Sequence, residues 1–562
     1  MVTPTDPGSG PVNELAERHW QAMLELNPTM ATFFGDERYS DRLEDPGPDG
    51  RAAMRQLMER TRDEAEAIDR AGLSTEDRIT RDILQVLAEL AIEEDDQRLH
   101  ELRVVDQMGG PQQLLPQLTQ FQRADTPDRL DAFLARLHAY PAYMSAVEGI
   151  LRDGIASGLT APRIVAERTI AQVERMLSVP IEAAIVPSMV KVASDADRER
   201  VRDVVRDVVY PADAAFLEVL RDDYLPATRP DPGLWSAPDG DRLYRTAMRS
   251  WTTLELDPED VHRIGLDELE SIELERREIS RAAGFGDDTD AYRRSLEDDP
   301  ANAPATKAEL IARAEAQIDR AMTVAPRYFG TLPVARCVVQ AVEEYKEKDA
   351  PFAYYYPPAP DGSRPGIYYA NGYDLPSRTY TKLASTTYHE AVPGHHFQIA
   401  LETENRNLTT FRRLGARAVA GAYVEGWGLY SERLADEMGL FVDDGERFGM
   451  LDAQAWRAAR LVVDTGLHAL RWPRQRSIDT LLAAGLSETD AVIETDRYIC
   501  WPGQALTYKI GQREILRLRR ELAARDGSAF DLPAFHDAVL GHGSLPLATL
   551  ARELPAWLAT PV

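Results

Sequence analysis

Residues 74–90 read Ser-Thr-Glu-Asp-Arg-Ile-Thr-Arg-Asp-Ile-Leu-Gln-Val-Leu-Ala-Glu-Leu, and their periodicity sets the fold class. Ser74 can cap a helix with its hydroxyl, and Glu76 and Asp77 place acids in the first turn, where they favour the helix dipole. Ile79, Ile83, Val86, Leu87 and Leu90 then recur at helical spacing. Outward from this stretch the same grammar repeats. Thr126-Pro127 is a cap with proline at the first helical position, leading into Leu130, Phe133, Leu134 and Leu137. Residues 160–192 and 197–222 continue in this style, without the period-two alternation of a large sheet. The N-terminal half is therefore expected to be a helical array.

Pro/Gly/Asp clusters at 226–241 and 284–304 read as surface loops. The stretch 348–375 differs in kind. It carries Tyr354-Tyr355-Tyr356-Pro357-Pro358 and then Gly366-Ile367-Tyr368-Tyr369-Ala370-Asn371, the best strand candidate in the chain. From Thr381 the pattern is helical again. The expected architecture is mainly α, with one small β-sheet just before the histidine motif described below. A soft division puts the N-terminal helical array at 1–240 and a catalytic helical region at 241–562. No internal repeat is visible.

Composition narrows the function. The 562 residues are 44% hydrophobic and 28% charged, ordinary values for a globular chain, and the net charge is −29. A field of that sign repels nucleic-acid phosphates and anionic membranes, so neither is expected as a partner. The first twenty residues lack the basic start and apolar core of a secretory signal, and no run of about 18 apolar residues suggests a membrane span. Cys337 and Cys500 fit no CxxC pattern and read as reduced thiols of a cytoplasmic protein.

The chemistry concentrates in Tyr388-His389-Glu390-Ala391-Val392-Pro393-Gly394-His395-His396. Zinc hydrolases commonly bind the metal through two histidines one helical turn apart, with a glutamate after the first acting on the bound water. Here position 393 is proline, and the next histidines fall at i+6 and i+7. On an unbroken helix, i+6 points about 120° away and i+7 lies about 10 Å along the axis. Pro393 and Gly394 offer the remedy: a two-residue bulge would bring His395 to the place of an i+4 ligand. His395 is the expected second ligand, with His396 a hydrogen-bonding neighbour or transition-state helper; His396 as ligand is the alternative. The third ligand is expected to be Glu425, a lone acid in the apolar stretch Gly421–Tyr430, where an unpaired carboxylate is costly to bury. Two imidazoles and one carboxylate suit one Zn2+ per chain.

These blocks resemble the bacterial DUF885 family, read here as zincin-like and related to helical oligopeptidases and carboxypeptidases. Its H-E-x-x-P-G-H-H pattern matches His389–His396, its E-G-W-x-L-Y pattern matches Glu425–Tyr430, and R-Y-x-x-x-P-G-Q-A-L-x-Y-x-x-G matches Arg497–Gly511. Asp464–His468 and Phe535-His536-Asp537 also look like family landmarks. The resemblance implies a helical metallopeptidase-like fold with a deep cleft, zinc on His389, His395 and Glu425, and Glu390 as general base. By analogy with related peptidases, Tyr508 would donate to the oxyanion, and Tyr368, Tyr369, Ala370 and Asn371 would form an edge strand for an extended peptide.

Asp464 and His468 stand at i, i+4. Asp464 is expected either to orient a ligand histidine or to form a local pair with His468. Arg497 and Lys509 offer themselves as holders of a substrate carboxylate, though Arg497 could equally pair with Glu494. The remaining histidines lack ligand spacing and read as structural. The expected function is zinc-dependent hydrolysis of peptide bonds, of short peptides. The alternatives are a non-peptide amide or ester hydrolase and a catalytically silent peptide-binding protein of the same fold.

Overall fold

A computed structural model describes residues 10–342, 347, 351–359, 362 and 364–558. The first nine residues, part of the segment read for a leader, and several positions of the 348–375 stretch lie outside the described set. The chain is mainly α-helical. Helix α1 (Thr75–Asp96) begins where its cap predicts, the Asp77 amide donating to Ser74 Oγ at 3.1 Å. It buries Ile79, Ile83, Leu87 and Leu90. Helix α2 (Pro127–Ser157) starts at Thr126, whose hydroxyl accepts from the Arg129 amide. Helix α3 (Pro258–Ala282) follows in the second half.

Three short strands come next: β1 (Cys337–Ala341), β2 (Ala353–Tyr356) and β3 (Gly366–Ala370). Their order is β1-β3-β2. Strand β3 pairs parallel with β1, Val339 facing Tyr368, and antiparallel with β2, Tyr355 facing Tyr368. The small sheet expected here is present, and only the edge position expected for this strand is corrected. Tyr368, Tyr369 and Ala370 lie on the central strand, with both backbone edges already occupied. Asn371 just beyond it ties down a neighbouring loop, donating to Glu347 O at 2.7 Å and Pro351 O at 3.0 Å.

Among the helices that follow the sheet are α4 (Tyr380–Glu390), α5 (His395–Glu404), α6 (Gly421–Glu437), α7 (Asp444–His468), α8 (Glu488–Cys500) and α9 (Thr507–Asp526). The most extensive packing is α3 on α7 and α6 on α9. The second pairing has a local cause. A Cβ on Gly426 would lie 2.4 Å from Gly511 Cα, and one on Gly511 would lie 1.8 Å from Ala422 O. Only glycine at both positions lets the two helices cross backbone to backbone.

One large core runs from Leu15 to Leu554 and a second from Val105 to Ala505, so each draws on both sides of position 240. Among the described residues no helix is long and apolar enough to cross a membrane.

Candidate metal centre

Helix α4 does not bulge and run on; it stops. Ala391 leaves helical geometry at φ −106°, ψ −99°, a cis Val392–Pro393 bond follows, and α5 starts afresh at His395. Gly394 is required by space rather than by a left-handed backbone, since a Cβ there would sit 1.8 Å from His389 O. Helix α6 holds the break in place. Trp427 Nε1 donates to Pro393 O at 2.9 Å, and Ser431 Oγ donates to the same carbonyl at 3.2 Å.

This interruption brings His389 and His395 together, their ring centres 4.7 Å apart and nearly perpendicular. Glu425, on α6, completes the group: its Oε2 stands 3.5 Å from His389 Nε2 and 3.5 Å from His395 Nε2. Those separations are long for hydrogen bonds, and Glu425 Oε2 is buried with no hydrogen-bond partner among the described residues. Ligands about 2.1 Å from a tetrahedral ion lie about 3.4 Å from one another, so the two separations from Glu425 match the spacing between ligands of one zinc ion. Glu390 is also close: one ligand atom from each of His389, Glu390 and His395 falls within 4.8 Å of the others. Either carboxylate could serve as third ligand. The equal 3.5 Å approach to both Nε2 atoms favours Glu425 and leaves Glu390 beside the centre. Gly428 forms the floor, because a Cβ there would come within 2.8 Å of His389 Nε2 and 2.9 Å of His395 Cε1.

The electrostatics fit a cation. Burial opposes a charged His389, but the Glu425 and Glu432 carboxylates flanking it outweigh burial and raise it to about 10. Burial pushes Glu425 up, and the two imidazoles overcome that and hold it well below the usual carboxylate range. Burial also raises Glu390, with His395 and His389 offsetting only part.

Asp464 does not orient a ligand histidine, nor does it pair with His468. It accepts from Tyr244 Oη at 2.6 Å and from the Gly503 amide at 3.1 Å, while His468 Nε2 donates to Tyr498 O at 2.9 Å. The carboxylate behind the site is one the sequence reading missed. His389 Nδ1 donates to Glu432 Oε1 at 2.9 Å, and Gln454 Nε2 donates to Glu432 Oε2 at 3.0 Å. Glu432 is seven residues after Glu425, two turns along the same face of α6, and that spacing was the available signal. Lys509 lies behind it, donating to Gln454 Oε1 at 2.9 Å and Gln512 Oε1 at 2.7 Å.

His396 faces the sheet. Its Nε2 donates to Ala335 O at 3.0 Å and its Nδ1 accepts from Tyr355 Oη at 2.9 Å. That pattern requires the neutral ring, and burial lowers the imidazole to about 4. Both nitrogens are used, which matches the hydrogen-bonding neighbour expected of His396 and leaves no free atom for its other expected roles, transition-state helper or metal ligand. Tyr508, on α9, stacks 6.3 Å from His389, centre to centre, and the Arg460 guanidinium lies 4.3 Å from its ring centre. Tyr368 is fully buried in the sheet, and Tyr369 stacks 4.9 Å from Tyr354 on its other face.

Fold and site together define a mainly helical protein with a preassembled His/His/Glu cluster at a broken helix. The chain belongs to the family described as "Bacterial protein of unknown function (DUF885)", whose model matches residues 28–554. It is similar to a crystal structure described as "the putative lipoprotein from Colwellia psychrerythraea", at 29% identity and TM-score 0.88, covering 98% of this chain and 99% of that one. A second structure, described as "a putative lipoprotein of unknown function from Shewanella oneidensis", aligns at 18% identity and TM-score 0.74, covering 97% and 100%. The second likeness speaks to fold alone. No curated protein matches.

Proposed function

We propose that the protein is a zincin-like, zinc-dependent hydrolase that cleaves amide bonds of short peptides in a cleft over this centre. The carrying observation is the pair of equal 3.5 Å separations from Glu425 Oε2 to the two histidine Nε2 atoms, with Glu390 alongside. His389, His395 and Glu425 would hold the ion, and Glu432 fixes the His389 tautomer by taking its Nδ1 proton in a hydrogen bond. Bound zinc supplies a water of lowered pKa and a Lewis acid for the carbonyl. Glu390, raised by burial, takes the water proton and returns it to the leaving amine. Tyr508, stacked 6.3 Å from His389, is the group that would donate a hydrogen bond to developing negative charge.

The test is elemental analysis of the purified chain, His389→Ala and His395→Ala, followed by a panel of short peptides and acylated small amides. About one zinc per wild-type chain, lost in both variants, with peptide cleavage, is the expected result. Absence of any transition metal after zinc reconstitution would sink the reading. A cytoplasmic setting is supported by the two unpaired cysteines and stands against the lipoprotein description of the neighbours; cell fractionation decides it.

A further inference from the structure

A hydrolase must hold its substrate as well as its metal, and one guanidinium beside this centre has no acid partner among the described residues. Arg457, on α7, is half-buried, its Cζ 4.2 Å from the Trp456 ring centre and 5.9 Å from that of Tyr508. Tyr508 in turn stands 6.3 Å from His389, so Arg457 borders the site. Among the described residues its hydrogen bonding is confined to a long 3.4 Å contact from Nη1 to Ala453 O on its own helix, and its Nε is buried without a partner.

The other cations named around the site are committed. Arg460 pairs with Glu494 at 3.0 Å, Arg433 with Glu275 at 2.6 Å, and Arg513 with Glu268. Arg497, offered by the sequence as a carboxylate holder, is spent on Glu494 at 3.4 Å and Gln504 at 2.9 Å. Lys509, the other such residue, is buried and donates to Gln454 and Gln512. A partly desolvated guanidinium without a carboxylate is costly, and its planar fork matches a carboxylate in two parallel hydrogen bonds. The field of Arg457 also reaches Glu390 and Glu432, favouring their charged forms.

We propose that Arg457 binds the C-terminal carboxylate of the substrate, which makes the protein a carboxypeptidase or dipeptidase rather than an endopeptidase. This rests on the peptide-hydrolase reading above. The experiment uses the zinc-loaded full chain and three matched short peptides: a free C-terminus, the same peptide amidated, and an amidated peptide with an acidic side chain. In wild type, kcat/KM for the free acid should exceed that for the amide by about 10- to 100-fold, the range of a charged hydrogen-bonded contact. Arg457→Gln should bring that ratio toward one, and Arg457→Lys should keep part of it. Unchanged zinc content and melting in both variants separate this from misfolding. Equal cleavage of acid and amide by wild type, a preference that survives Arg457→Gln, or a preference that follows the side-chain acid would each overturn the proposal. If wild type cleaves none of the peptides, the hydrolase reading fails first. Calorimetric binding of the acid and amide peptides to Glu390→Gln, with and without Arg457→Gln, then judges the carboxylate site alone. A selective loss of acid binding upholds it, and equal binding of both peptides removes it.

Discussion

Glu432 Oε1 lies 2.9 Å from His389 Nδ1, which fixes the proton on that nitrogen and turns Nε2 toward Glu425. Glu432→Gln keeps the shape but offers an amide where a carboxylate stood. Partners of this kind contribute about 10- to 100-fold in metal affinity. A chelator competition titration should show zinc affinity falling by that amount while the fold survives. Unchanged affinity would reduce Glu432 to a packing residue.

Glu390→Gln separates holding the metal from using it. With His389, His395 and Glu425 intact, zinc content should remain near one per chain. Peptide turnover should fall by about 10²- to 10⁴-fold, the ordinary contribution of a general base. Loss of zinc in this variant would instead make Glu390 a ligand, as its place within 4.8 Å of both histidines allows.

Tyr508→Phe removes one hydroxyl and leaves the ring stacked near His389 and Arg460. The expected outcome is a fall in kcat of about 10²- to 10³-fold with little change in KM or zinc content, as for loss of one oxyanion donor. A change confined to KM would place the phenol in substrate binding alone.

Gly428→Ala tests the floor of the centre. Its added methyl meets His389 Nε2 at 2.8 Å and His395 Cε1 at 2.9 Å, so the rings must move apart or the helix must shift. Elemental analysis should show zinc lost or markedly depleted, with the helical circular dichroism retained. Full zinc occupancy would mean that the rings yield without cost.

Asp464 gives a pH-dependent prediction independent of the metal. Burial raises its carboxyl to about 7, the bonds from Tyr244 and Gly503 offsetting only part. An acid raised in the folded state favours folding fully below its unfolded value near 4, and that contribution is lost as pH rises through about 7. Denaturant titrations between pH 4 and 8 should therefore show wild type losing stability relative to Asp464→Asn as pH rises. A constant difference would remove Asp464 as the source.

The helical class was legible because caps and 3.6-residue periodicity are local properties, visible at Ser74 and Thr126 and in the apolar rows that follow. The strand at 366–370 was legible from its tyrosines, but its central place was not. Partners for it come from Ala353–Tyr356 and from the short Cys337–Ala341, and pairing order is a long-range property. His389, Glu390, His395 and Glu425 could be singled out because their residue types and surroundings are chemically unusual. Glu432 escaped notice inside Ser-Glu-Arg-Leu-Ala-Asp-Glu, where charges read as a solvated face; its burial depends on Gln454 from another helix. Asp464 drew attention through its spacing to His468, yet Tyr244, 220 positions upstream, claims it.

The two donors on Pro393 O, Trp427 and Ser431, have a consequence for how this region comes apart. They clamp the loop between the histidine helices to the helix that supplies Glu425, so none of the three segments that carry His389, His395 and Glu425 can loosen alone. Demetallation should then show no frayed loop in hydrogen exchange. The amides of α4, α5 and α6 should instead open as one cooperative unit, slowed in concert when zinc is restored.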